Sequence, residues 1–227
     1  MASSRLRILD VPDVTEVSLT APRSLLARVH ATHPCGGCAG NCCASGANVE
    51  LTTVEALRLA RAQLVTLEYV VQRVDCPPEK ANRLASVPIP LDDGLTVLRL
   101  RQDDDGACAL LHRLRDQGRC SAHAHRPALC RFYPFRLRVG GRTLEVGDQS
   151  LCPVRWLKSA ELEAELARDH ARWRRDLALE RKLVTAWTAT GGATRPWRDY
   201  AAFAATWLTS RMRWNWPLVV MHPARGR

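Results

Sequence analysis

The chain is 227 residues long, 46% hydrophobic and 25% charged, which is enough apolar material for a folded core. No apolar run approaches the roughly 18–20 residues that a membrane-spanning helix needs. The 33 Lys and Arg exceed the 23 Asp and Glu by ten, but the acids are many and each metal-bound thiolate would subtract a charge, so the excess alone argues only weakly for nucleic acid.

Near the start, Asp10, Asp13 and Glu16 stand where a secretory signal would carry its apolar stretch, so the expected compartment is cytoplasmic. That expectation governs the nine cysteines. A reducing compartment keeps thiols free, and four of the nine fall between Cys35 and Cys43, a density that disulfide frameworks rarely show. Clustered free thiols are read as metal ligands.

Residues 1–29 alternate apolar positions and leave strand and short helix both open. His33-Pro34-Cys35-Gly36-Gly37-Cys38-Ala39-Gly40-Asn41-Cys42-Cys43 follows, a glycine-rich loop suited to folding side chains inward around one centre. Its C-x-x-C pair, Cys35 and Cys38, has the spacing that lets one loop aim two sulfurs at one metal. The adjacent Cys42 and Cys43 reach one ion only if the backbone turns sharply, and otherwise serve different centres. Thr52 and Glu55 have capping-box spacing, and Val54, Leu57 and Leu64 continue as a helix. A short helix is expected at Leu67–Val70, an end at Cys76-Pro77-Pro78, a strand over Leu95–Leu100 and a turn at Asp103–Gly106.

Cys108-Ala109-Leu110-Leu111 and the run around Cys120 read as two short strands joined by a polar loop ending at Gly118. Arg136–Val139 and Arg142–Val146, joined by Gly140-Gly141, form a strong hairpin signal. From Trp156 the pattern turns helical. Ser159 is the expected N-cap, and Leu162, Leu166, Trp173, Leu177, Val184 and Trp187 make the expected apolar stripe. Gly191-Gly192 breaks this helix, and a second amphipathic one carries Tyr200, Phe203 and Trp207. All seven tryptophans lie at or beyond Trp156, where they are expected to pack the helices against the cysteine-rich part.

The ordered series resembles a known family. It comprises the dense first group, then Asp105-Gly106-Ala107-Cys108-Ala109-Leu110-Leu111, Gly118-Arg119-Cys120-Ser121, Arg126-Pro127-Ala128-Leu129-Cys130-Arg131-Phe132-Tyr133-Pro134-Phe135 and Cys152-Pro153. It is similar to the YkgJ-type cysteine-cluster family, described as zinc- or iron-chelating, over roughly residues 33–155. The family spacing is C-x-x-C-x-x-C-C, whereas here Ala39, Gly40 and Asn41 put three residues before the paired cysteines. The resemblance implies a ligand set of Cys35, Cys38, Cys42, Cys43, Cys108, Cys120, Cys130 and Cys152. It implies zinc or an iron–sulfur cluster as the cofactor, with the metal open. Cys76 matches no family cysteine and reads as a small buried hydrophobe.

Arg119, Arg126 and Arg131 flank the second group and are candidates to offset thiolate charge. Phe132, Tyr133 and Phe135 read as packing. His33, His123 and His125 are lesser ligand candidates beside so many thiols. The expected fold is α+β: a cysteine-rich module over residues 30–155 with short strands and a hairpin, then a helical extension over residues 156–227. The leading function is metal chelation with a structural or redox role, the C-terminal helices being where a protein partner would bind. An iron–sulfur or zinc enzyme comes second, with Glu50, Asp103 and Asp105 as available acids. Methyl transfer, known in the related flagellin lysine N-methylases, lacks a glycine-rich cofactor loop here. A zinc-stabilised nucleic-acid binder ranks last.

Overall fold

Thr52 opens the first long helix with the reciprocal cap that its spacing with Glu55 promised. The Thr52 hydroxyl accepts the Glu55 N–H at 3.1 Å, and the Glu55 carboxylate accepts the Thr52 N–H at 3.0 Å. In the computed structural model, which describes residues 41–44, 46, 48–79, 86–114, 117–133, 135–137, 144–146 and 160–212, the elements are mixed helix and strand, an α+β arrangement. Helix α1 is a single turn, Asn41–Ala44, and α2 runs Thr53–Ala62. Helix α3, Leu67–Val70, passes directly into strand β2, Val71–Asp75, because Val71 adopts extended backbone with φ −122°.

Strand β4, Gly94–Leu100, is the centre of the main sheet. It pairs antiparallel with β2 over its length, and with the two-residue β1, Glu50–Leu51, and β3, Ile89–Leu91. The strand expected over Leu95–Leu100 is therefore present. Strands β2 and β3 are additions to the sequence reading. β2 has no breaker between it and α3, and β3 contains Pro90, which is tolerated only where its missing N–H costs no ladder bond.

The hairpin of β5, Leu111–Leu114, and β6, Gln117–Cys120, starts three residues later than Cys108, and Gly118 sits within β6 rather than closing the loop. A second hairpin pairs β7, Phe135–Leu137, with β8, Leu144–Val146. Its register, Phe135 opposite Val146 and Leu137 opposite Leu144, is centred between residues 140 and 141. Gly140 and Gly141 themselves lie outside the described residues, as do residues 1–40, Ser159, Trp156, Trp214 and Trp216.

Helix α4 is Ala128–Phe132, α5 is Ala160–Ala189 and α6 is Trp197–Met212. Gly191, at φ +74°, ends α5 in the left-handed region that glycine enters without strain. The buried positions of α5 are Leu162, Leu166, Asp176, Glu180, Leu183 and Trp187; of the expected stripe Val184 is half-buried against the core, and Leu177 is displaced from the buried face by its neighbour Asp176. The reason is chemical. Asp176 receives a two-pronged hydrogen bond from Arg58 of α2, at 2.9 and 3.1 Å, and Glu180 accepts the Thr53 N–H at 3.0 Å. Two acids thus occupy inward positions that an apolar count leaves out.

The larger core joins both parts of the chain. Leu51, Val54, Leu59, Val70 and Leu98 pack in one cluster with Leu183, Trp187, Tyr200, Ala204 and Leu208. Trp187 is fully buried, donates its indole N–H to the Pro90 carbonyl at 2.9 Å, and stands edge-on to Tyr200. A smaller cluster holds Ala128, Phe132 and Phe135 against Leu162 and Leu166, with Leu129 and Trp173 beside them, so Phe132 and Phe135 are packing residues.

Candidate metal centre

Five of the eight cysteines that the resemblance picked out are among the described residues. Cys42 and Cys43 lie on α1, Cys108 follows the turn at Asp103–Gly106, Cys120 ends β6 and Cys130 is in α4. Cys35, Cys38 and Cys152 lie outside the described residues, as does His33.

Local backbone explains how segments so far apart in sequence meet. At the Asp103 turn the Gly106 N–H donates to the Asp103 carbonyl at 2.8 Å, and the Asp103 N–H to the Ala107 carbonyl at 2.7 Å. Gly106 adopts φ +78°, and the Asp105 carboxylate accepts the Ala107 N–H at 3.0 Å, so the reversal is tight and specific. Immediately after it, the Cys108 N–H donates to the Cys43 carbonyl at 2.8 Å. This bond ties the first cysteine group to the second. The Ser121 N–H bonds the Leu110 carbonyl at 2.9 Å, closing the β5–β6 hairpin and holding Cys120 opposite Leu111.

The backbone turn required at Cys42 and Cys43 is present: one helical turn brings their sulfurs to 4.0 Å. The hydrogen bond with Cys43 lowers the Cys42 thiol to about 6, with a smaller contribution from Arg126. The same bond, then burial, then the neighbouring Cys42, Cys120 and Cys130 push Cys43 up. Cys108 is raised by burial, with Asp103 and Cys42 adding to it. Burial also raises Cys120, and Cys108 and Cys42 contribute. Cys130 is raised furthest beyond its ordinary range among these three, again by burial first, then by Cys120 and Cys108. Each of the five sulfurs is therefore within electrostatic reach of at least one other, and Arg126 is the cation felt by Cys42, Cys120 and Cys130 alike.

This donor set fits a thiophilic cation. Half-buried thiols crowded together resist joint ionisation, and a bound metal supplies the positive charge that reverses the preference. The six described cysteines are all free thiols. Among the described residues no three His, Cys, Asp or Glu side chains are grouped closely enough to hold a metal ion.

The other candidates separate clearly. Arg131 is engaged away from the sulfurs: its Nε donates to the Arg126 carbonyl at 2.9 Å, and its guanidinium lies 3.6 Å from Asp169. The Arg119 side chain is outside the described residues. His123 is half-buried and His125 exposed, on a short 3-10 turn leading to α4. Asp105 is used in its turn, and Asp103 is exposed and lies 3.8 Å from Arg101. Cys76 is buried at the end of β2, its thiol directed to the Pro77 carbonyl at 3.6 Å.

One residue was read only in part from sequence. Glu55 serves the α2 cap with one carboxylate oxygen, and its other oxygen accepts the Ala128 N–H at 2.8 Å, at the start of the helix that carries Cys130. No local pattern announces a bond between residues 73 positions apart.

Comparison with known proteins agrees with the cysteine order. A family model with the description "CxxCxxCC: Putative zinc- or iron-chelating domain" matches residues 34–153. No curated protein and no solved structure gives a match. The matched span contains the eight cysteines and exceeds half of the chain, so this protein belongs to the CxxCxxCC family, whose description is of metal chelation.

Proposed function

We propose that this chain is a metal-chelating protein in which Cys35, Cys38, Cys42, Cys43, Cys108, Cys120, Cys130 and Cys152 hold zinc or an iron–sulfur cluster, in a structural or redox role. The observation that carries the reading is the meeting of two cysteine groups distant in sequence. The Cys108 N–H to Cys43 carbonyl bond joins them, and the sulfurs of Cys42, Cys43, Cys108, Cys120 and Cys130 act on one another electrostatically. Such thiols suit zinc, which takes about four thiolates, and suit iron–sulfur clusters equally. Four thiolates around a divalent ion leave a net negative charge, and Arg126 is placed to offset it.

The test is iron, zinc and acid-labile sulfide content of protein purified without oxygen, with its visible spectrum. About four irons with matching sulfide and broad visible absorption identify a cluster. One or two zincs without colour identify a zinc module. Cys130→Ser and Cys35→Ser are each expected to lose most of the metal. Full metal content in both variants would refute the ligand set.

A further inference from the structure

Helix α4 has five residues, too few to hold its shape without outside anchors. Its N-cap position is Pro127, which has no side-chain oxygen to cap the turn. The acceptor comes from elsewhere in the chain. Glu55, only 7% exposed, accepts the Ala128 N–H at 2.8 Å through Oε1, while its Oε2 accepts both the Thr52 N–H and the Thr52 hydroxyl at 3.0 Å. A single carboxylate therefore caps two helices at once. Cys130 lies two residues beyond Ala128, and its sulfur interacts electrostatically with Cys120, Cys108 and Cys42. The rest of α4 is held by packing of Phe132 against α5 and by the bonds of Arg131 to the Arg126 and Ala124 carbonyls.

We infer that Glu55 is a positioning residue for the metal centre: by bridging the α2 cap to the first turn of α4, it sets where the Cys130 thiol sits. The inference rests on Cys130 being a ligand, as proposed above. The two carboxylate oxygens have distinct tasks, so an amide cannot replace them. Glu55→Gln keeps one acceptor and turns an NH2 group towards an N–H donor, which unseats one of the two helices. Partners that hold a ligand in place typically change metal affinity 10–100-fold when removed, without touching the metal.

The experiment uses the full chain loaded with zinc, and measures the rate of zinc transfer to a colorimetric chelator beside the thermal midpoint. Three variants are compared with the parent: Glu55→Gln, Ala128→Pro and Arg58→Met. Ala128→Pro deletes the same hydrogen bond from the donor side, at a first-turn position where proline is accepted. Arg58→Met breaks the α2–α5 bridge to Asp176 while the hydrogen bond between Glu55 and Ala128 keeps both its partners. Glu55→Gln and Ala128→Pro are expected to release zinc about tenfold faster or more, and their effects are expected not to add in the double variant. Arg58→Met is expected to lower the midpoint with little change in release. Equal release rates in Glu55→Gln and Arg58→Met at comparable midpoints would overturn the positioning role, as would additive effects of the first two changes. If Glu55→Gln fails to fold, Ala128→Pro alone against Arg58→Met decides the question. Cys130→Ser, measured alongside, separates the two claims: if it keeps its zinc, the ligand reading fails, and with it the reason for positioning.

Discussion

Glu180 shows how a single buried side chain carries a measurable property. It is 1% exposed, and burial raises its carboxyl to about 7, with Glu55 adding to the rise and hydrogen bonds from Thr53 opposing it. The Thr53 hydroxyl donates to Glu180 at 2.6 Å and meets the Tyr200 hydroxyl at 2.7 Å, so α2, α5 and α6 share one polar knot. The unfolded carboxyl releases its proton near 4.5 and the native one near 7. Between those values the unfolded state binds fewer protons, so this group's contribution to stability falls as pH rises from about 4.5 to about 7, and is flat above. The full change is about 3 kcal/mol for a shift of this size. Denaturant midpoints of the parent minus those of Glu180→Gln, followed against pH, should show that slope, and a flat difference would contradict it. Gly192 makes a second residue-scale prediction. A Cβ there would lie 2.2 Å from the Trp187 ring, so Gly192→Ala must displace a fully buried indole and should cost about 1–3 kcal/mol in a denaturation experiment.

Helix α2 illustrates what an element's own sequence can and cannot announce. Its start was legible because a Thr and a Glu at this spacing satisfy each other's backbone donors locally. Thr52→Ala is expected to destabilise the protein by about 1–2 kcal/mol, measured by chemical denaturation. The buried face of α5 was not legible in full. Asp176 and Glu180 count as polar in any periodicity argument, yet both point inward, because Arg58 and Thr53 on α2 supply their partners. Strand β2 was missed for a related reason: Val71–Asp75 alternates only weakly and becomes a strand by pairing along β4 from Leu100 to Thr96. Short strands are decided by their partners more than by their own composition.

At the scale of the molecule, α5 and α6 complete the core that the sheet and α2 begin, since Leu183, Trp187, Tyr200 and Leu208 share one cluster with Leu51, Val54 and Leu98. Trp187→Ala removes the largest of these fully buried side chains and its bond to Pro90, and should cost about 3–5 kcal/mol. Hydrogen exchange followed by mass spectrometry should then show lost protection in β3 and β4 as well as in α5. Loss confined to α5 and α6 would mean that the two parts unfold separately. No helix among the described residues is long and apolar enough to cross a membrane.

The sequence by itself determined the family. Cysteine content, spacing and order pointed to the CxxCxxCC family, because the order and spacing of one residue type need no coordinates to read. It also determined the elements whose causes are local: the α2 cap, the reversal at Gly106, the break at Gly191 and the hairpin centred near residue 140. Tertiary structure decided everything that depends on residues distant in sequence. It joined Cys43 to Cys108 through a backbone bond, chose Arg126 over Arg131 as the cation the thiols feel, and turned two acids of α5 inward. It also gave Glu55 a second helix to cap. The physical reason is the same in each case. A hydrogen bond or a buried charge is stabilising only when its partner is present, and no local pattern records a partner dozens of residues away.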